Sequence, residues 1–249
     1  EVTLDHKEII QFSGLIIAVG GKPRIPEPLH VFGDLMFTLK TITDASHWAK
    51  ELAEVDSVLI IGGDLTSFAM VKALIQLGKK VNFILNEDSF WPARYTHELY
   101  EEAAHKLTQK GVDVLVCRKL RSIARLSENS FQVKVDDQKI NVGMVGAFFG
   151  LVPDVRFLGH SGLQIERGVL VDEYLNSGFG GVYAAGDCAQ VYHPEIRDYW
   201  VSIGHDNAVN LGRIAALNLS GEKVQADIEP ENIFCVEGIS ANISWWTEF

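Results

Sequence analysis

The sequence is most informative at Val58-Leu59-Ile60-Ile61-Gly62-Gly63-Asp64-Leu65-Thr66-Ser67, where four apolar residues run into a glycine pair. A short apolar run that ends in glycine and precedes helix-forming residues predicts a buried strand, a tight turn and a helix. We expect this helix to reach about Leu77 with Gly78 as its C-cap, before a second strand at Val81–Leu85. The order predicts a βαβ unit, whose strands are parallel.

Strands and helices alternate along most of the chain, as is typical of a parallel sheet covered on both faces. Further on, a helix is predicted from Thr96 to Lys110 and a single strand over Val142–Phe149. Lys22–Pro28 contains three prolines and predicts a domain boundary. The expected fold class is therefore α/β.

Composition excludes several classes of function. The chain has 249 residues, of which 47% are hydrophobic, which suits one large or two medium domains. Its formal charge of -11 argues against nucleic acid or an anionic membrane as a partner. No apolar run reaches the ~20 residues that cross a bilayer. The three cysteines, Cys117, Cys188 and Cys235, show no metal or dithiol spacing, so we expect a cytoplasmic protein without a metal site.

Asp64 leaves two interpretations of the glycine turn open. A dinucleotide fingerprint, G-x-G-x-x-G, needs glycine at positions 62, 64 and 67, and an acidic residue at the end of the second strand. Here Asp64 and Ser67 replace two of the glycines, and Leu85 stands where the acidic residue is expected. Either NAD(P)H binds despite the added negative charge, or the geometry persists for folding alone and Asp64 caps its helix.

A second informative strand, Gly181-Val182-Tyr183-Ala184-Ala185, ends on Gly186-Asp187. An aspartate just past the end of a strand can accept hydrogen bonds from polyol hydroxyls, and the glycine lets the backbone approach a bulky cofactor.

With these features in order, the chain resembles the FAD-dependent pyridine nucleotide-disulfide oxidoreductase superfamily. Within it, the chain looks like the subgroup of rubredoxin and ferredoxin reductases, nitrite reductase flavoprotein halves and apoptosis-inducing factor. The stretches that carry the resemblance are Leu15–Arg24, the glycine turn, Phe148–Asp154, Gly186-Asp187, Gly204–Asn218 and Trp245-Trp246.

The resemblance implies a Rossmann-like two-dinucleotide-binding flavoprotein fold, with an NAD(P)-type domain inserted in a partial FAD-type domain. We expect a partial FAD-binding domain at 1–27, an NAD(P)-binding-like domain at 28–150, the rest of the FAD-binding domain at 151–225 and the start of an interface domain at 226–249. The N-terminal FAD fingerprint of the family and most of its C-terminal domain have no counterpart in this sequence.

The resemblance also implies site residues, although it assigns no catalytic residue. The FAD-binding residues are Arg24, Gly186, Asp187, Gly204, His205 and Trp246. The NAD(P)-binding residues are Gly62, Gly63, Asp64, Leu65, Thr66, Ser67 and Gly150.

Two functions follow as hypotheses. The first is an FAD-dependent NAD(P)H oxidoreductase that passes electrons through flavin to a small redox protein or another acceptor. The alternative is a non-catalytic or regulatory interaction module that kept the fold and lost its nicotinamide nucleotide site. A homodimer, or a companion segment that this chain lacks, is the further expectation for partners.

Overall fold

The computed structural model describes residues 1–85, 97–116, 118–194, 197–201, 204–226, 231–236 and 239–244. The chain forms two compact units. The discontinuous unit consists of Glu1–Lys22 and Val152–Glu229, and the inserted unit consists of Pro23–Leu151 and Pro230–Phe249. Which cofactor each of the four predicted domains binds stays a prediction.

Helices and strands alternate over Ile42–Val116, whereas the described residues from Asp113 to Val201 form successive strands with no α-helix between them, so the alternation expected along most of the chain was wrong. In chain order the strands are β1 (Val2–Thr3), β2 (Ile9–Ile10), β3 (Leu15–Ile17), β4 (Gly21–Pro23), β5 (Ser57–Gly62), β6 (Lys80–Leu85), β7 (Asp113–Val116), β8 (Leu120–Ser127), β9 (Ser130–Val135), β10 (Gln138–Val142), β11 (Met144–Phe148), β12 (Leu151–Pro153), β13 (Val169–Val171), β14 (Val182–Ala184), β15 (Ala189–His193), β16 (Asp198–Val201), β17 (Glu231–Val236) and β18 (Ile239–Ser244). The α-helices are α1 (Ile42–Ala53), α2 (Leu65–Gln76), α3 (His97–Gln109) and α4 (His205–Leu219). Within the described residues, no helix has the length and apolar character to cross a membrane.

A four-stranded parallel sheet in the order β11-β5-β6-β7 forms the centre of the inserted unit. Three of its strands, β5, β6 and β11, are almost wholly buried, which explains their largely apolar sequence. Val58 and Ile60 pack into one cluster with residues of the helices, whereas Leu59 and Ile61 pack on the opposite side against the antiparallel meander β8-β9-β10. The predicted βαβ unit with a parallel sheet is confirmed.

The strand predicted over Val142–Phe149 is two strands, so that prediction was wrong. Val142 ends β10 of the meander, and Met144 begins β11 of the parallel sheet. Gly143 lies between them, and a Cβ atom there would lie 2.5 Å from the Cβ of Val55. The glycine therefore lets the chain change sheets beside a packed side chain, while the apolar sequence continues through the change.

The discontinuous unit holds α4 through one buried polar side chain. Strands β3 and β14 pair in parallel, and the buried residues Leu211, Ile214 and Ala215 lie along α4. Asn218, which is 6% exposed, donates to the carbonyl oxygens of Tyr174 and Val224 and accepts from the Val224 N–H. These bonds satisfy the amide and fix the end of α4 to two loops.

Replacing Gly62 with alanine is expected to destabilise the inserted unit by more than about 4 kcal/mol, beyond the range of ordinary single substitutions. Gly62 has a φ of 138°, and an added Cβ would lie 1.7 Å from the carbonyl oxygen of Phe148. Gly78→Ala is the matched control, because Gly78 has a φ of 70° with nothing within 4 Å of the added atom. The control should lose only the about 1–2 kcal/mol of a left-handed residue. Equal losses in urea unfolding would contradict the steric explanation.

Candidate functional site

Asp64 caps the helix that follows the glycine turn of the inserted unit. It precedes α2 in an extended conformation, and its Oδ1 accepts a hydrogen bond of 2.8 Å from the backbone N–H of Ser67. The Ser67 hydroxyl donates in return to the Asp64 carbonyl oxygen at 2.6 Å. Ser67, which stands at the third glycine position of the fingerprint, is fully buried, and this hydrogen bond satisfies its hydroxyl. Of the two interpretations that the sequence left open, the structure shows Asp64 as the N-cap of α2.

The second carboxylate oxygen of Asp64 reaches the neighbouring strand. Oδ2 accepts a hydrogen bond of 2.9 Å from the N–H of Gly150, just after β11. The Gly150 carbonyl oxygen accepts in turn from the Arg24 N–H at 2.9 Å. One carboxylate thus joins the start of α2 to the end of β11. Sequence reasoning placed Gly150 beside a nicotinamide and missed this contact between residues far apart in the chain.

Burial raises the pKa of the Asp64 carboxyl above its ordinary value, against the backbone N–H groups of Ser67 and Gly150, which lower it. Desolvation disfavours the charged form, and hydrogen bonds to the charged form favour it. Burial is the larger effect here.

Leu85 occupies the position where the predicted nucleotide site needs an acidic residue for the ribose. It is fully buried at the end of β6, opposite Gly62 in the sheet register. Its side chain belongs to the same core cluster as Trp48 and Phe68. An acidic residue at this position would accept hydrogen bonds from the ribose hydroxyls of a dinucleotide, whereas a leucine side chain cannot.

The discontinuous unit brings the predicted flavin-binding residues Gly186, Asp187, Gly204 and His205 to one place. Gly186 begins a one-turn 3-10 helix, Gly186–Cys188, shortly after β14, and has a φ of 73°. A Cβ atom on Gly186 would lie 3.4 Å from the Cβ of Ala208, in the first turn of α4. The turn that carries Asp187 therefore packs against the N-terminal end of α4.

The N-terminal end of α4 is accessible. Gly204 is its N-cap, with a φ of 113° and no capping side chain, and Gly204, His205 and Asp206 are exposed. The N–H groups of a first helical turn have no partners within the helix and carry partial positive charge. Asp187 is half-buried on the adjoining turn. A carboxylate and a helix N-terminus thus line one polar surface of this unit.

Cys188, the next residue after Asp187, is a packing residue. It is fully buried, and its thiol donates to the carbonyl oxygens of Ile17 and Ala185. Burial is also the main reason that the pKa of this thiol is raised. The thiol of Cys188 therefore packs inside the discontinuous unit.

The remaining predicted residues lie elsewhere. Arg24 belongs to the inserted unit, and Trp246 lies outside the described residues. Gly63 lies in the glycine turn, Leu65 begins α2, and Thr66 is the second residue of that helix. In the described part of the chain, no three histidine, cysteine, aspartate or glutamate side chains are grouped closely enough to hold a metal ion.

The pH dependence of stability should differ between the wild type and Asp64→Asn. A raised pKa in the folded state means that the Asp64 contribution is fully present below the unfolded value of about 4 and is lost as pH rises through the folded pKa. Asparagine still caps the helix, and its loss of one N–H partner is independent of pH. We therefore expect the wild type to lose stability relative to the variant as the pH rises above about 4. Parallel curves of unfolding free energy against pH would contradict this.

Comparisons with known proteins agree with this geometry. The chain is 31% identical over 188 residues to the nitric oxide reductase FlRd-NAD(+) reductase of Klebsiella pneumoniae, and 32% identical over 183 residues to the protein of that name from Escherichia coli. The alignments cover 75% and 73% of this chain but only 49% and 48% of the relatives. The chain thus spans about half the length of the curated relatives it matches.

Solved structures show the same fold. The NAD-dependent persulfide reductase of A. fulgidus matches 94% of this chain and 44% of its own with a TM-score of 0.81 at 22% identity. A ferredoxin reductase of Rhodopseudomonas palustris matches 90% of this chain and 55% of its own with a TM-score of 0.76 at 19% identity. The predicted Rossmann-like flavoprotein fold is confirmed. A family model described as pyridine nucleotide-disulphide oxidoreductase matches residues 1–206, and the chain belongs to that family.

Proposed function

We propose that the chain is the nucleotide-binding part of an FAD-dependent oxidoreductase that takes electrons from NAD(P)H and passes them to a small redox protein. The observation that carries the proposal is the pairing of the Gly186–Cys188 turn with the accessible N-terminus of α4 in a chain of this family. When bound, FAD supplies the redox chemistry by accepting a hydride and releasing electrons.

The residues of the discontinuous unit fit such a cofactor. Gly186 is buried and has no side chain, so the turn packs closely on Ala208 and brings Asp187 beside the N-terminal end of α4. The half-buried Asp187 carboxylate would accept hydrogen bonds from hydroxyl groups of the cofactor. The N–H groups and partial positive charge of the first turn of α4, at His205, would stabilise negative charge on a bound flavin.

The names of the relatives and the charge of the chain support the proposed electron donor and electron acceptor. The curated relatives are FlRd-NAD(+) reductases, which support a nicotinamide dinucleotide as donor and a redox protein as acceptor. The formal charge of -11 favours an acceptor with a basic docking face. A free buried thiol at Cys188 suits the reducing conditions of a cytoplasmic enzyme. A homodimer stays part of the proposal.

A second candidate function is a non-catalytic or regulatory module. Two observations in the inserted unit favour it: the Asp64 carboxylate lies at the N-terminus of α2, and Leu85 replaces the ribose-binding acid. Such a module needs neither electron input nor a bound flavin. Flavin binding therefore separates the two candidates.

Asp187→Ala should weaken FAD binding about tenfold or more, the loss expected for a hydrogen bond to a charged group. The measurement is titration of the purified full chain with FAD, followed by flavin absorbance and fluorescence.

Asp172→Asn is the matched control for this titration. Asp172 also follows a strand of the discontinuous unit, β13, and its Oδ1 accepts from the N–H groups of Tyr174 and Asn176, away from the N-terminal end of α4. We expect the control to bind FAD like the wild type. Full FAD affinity in Asp187→Ala would refute the role of this carboxylate, and a wild type that takes up no FAD would favour the non-catalytic module.

A further inference from the structure

We propose that Asp64 is an internal anion in the pyrophosphate position of the inserted unit, so that a nicotinamide dinucleotide binds there only after the carboxylate leaves the N-terminus of α2. The inference rests on the proposed function, because it concerns how NAD(P)H reaches its site. Asp64 would then be an autoinhibitory residue that weakens the affinity of the inserted unit for NAD(P)H.

The position follows from the fold. In a Rossmann unit the pyrophosphate lies at the N-terminus of the helix after the first strand, where backbone N–H groups donate to it. In the inserted unit that strand is β5 and that helix is α2. The Ser67 N–H, which lies in the first turn of α2, donates to Asp64 Oδ1 at 2.8 Å. The protein's own carboxylate therefore uses a donor that a phosphate oxygen would need.

The carboxylate is held from two elements at once. Its Oδ2 accepts from the Gly150 N–H at 2.9 Å, beyond the end of β11. The Ser67 hydroxyl also donates to the Asp64 carbonyl oxygen and so fixes the backbone of the turn. A dinucleotide must break the contacts to Ser67 and Gly150 and accept a negative charge beside its own phosphates.

Position 64 is also where the fingerprint requires a glycine for close approach of the pyrophosphate. Asp64 fills that space with a side chain, whereas Gly62 is kept for a structural reason, the contact with the Phe148 carbonyl oxygen. Leu85, fully buried, removes the carboxylate that would hold the ribose of a competing dinucleotide. Gly62 is thus needed for strand packing, whereas the side chain at position 64 decides whether a pyrophosphate can approach the turn.

The test is titration of the full chain with NADH, followed by quenching of protein fluorescence and by calorimetry. We expect Asp64→Gly and Asp64→Ser each to bind NADH at least about tenfold more tightly than the wild type. Serine keeps a good N-cap without the charge, so it serves if the glycine variant folds poorly.

Asp44→Asn is the control variant for the charge. Asp44 is also a carboxylate in the first turn of a helix of the inserted unit, where it accepts from the Thr41 and Lys40 N–H groups at the start of α1. Its removal should leave NADH affinity unchanged, because α1 does not follow the glycine turn. If Asp44→Asn gained as much NADH affinity as the Asp64 variants, the effect would come from net charge alone, and the inference would be overturned.

The outcomes also separate this inference from the proposed function. Equal, tight NADH binding by the wild type and the Asp64 variants would overturn the inference and leave NAD(P)H as donor. No NADH binding by any variant would show that Asp64 is not the obstacle and would overturn the inference together with the donor. Neither result bears on the FAD titration, which tests the discontinuous unit.

Discussion

The Asp64 carboxylate makes the contacts on which the turn between β5 and α2 of the inserted unit depends. Its two oxygens accept N–H groups from Ser67 in α2 and from Gly150 beyond β11, so a single side chain sets the helix against the sheet. This arrangement is possible because Gly62 lets β5 pass within contact of the Phe148 carbonyl oxygen. The negative charge that a Rossmann turn attracts from a ligand is here supplied by the chain.

The helices of the molecule satisfy the same electrostatic demand in different ways. The first turn of α1 is closed by the capping box of Thr41 and Asp44, and that of α2 by Asp64. The first turn of α4 begins at Gly204, which has no side chain to offer. A helix N-terminus favours an anion or an electron-rich group. The first turn of α2 thus has an internal anionic partner, whereas the first turn of α4 has no capping side chain and contains the exposed Asp206.

The sequence predicted the parts of the fold that depend on local pattern. The β5–α2–β6 unit follows from its apolar run, its glycine turn and the C-cap at Gly78. Helix α1 was missed, although Thr41 and Asp44 carry a capping signal that could have located it. The division at Gly143 was missed because the residues on either side of it, Val142 and Met144, are both apolar and buried. The bond between Asp64 and Gly150 joins residues that only the folded sheet brings together, so no local pattern predicts it.

The most direct test of the central claim is the amide nuclear magnetic resonance of Ser67 and Gly150 in labelled wild-type protein. If the Asp64 carboxylate occupies the pyrophosphate position, both amide signals stay in place as NADH is added at concentrations that saturate an ordinary site, about 1 μM to 1 mM. A shift of both signals along one saturating curve in that range would show that dinucleotide phosphates readily displace the carboxylate, and would contradict the claim.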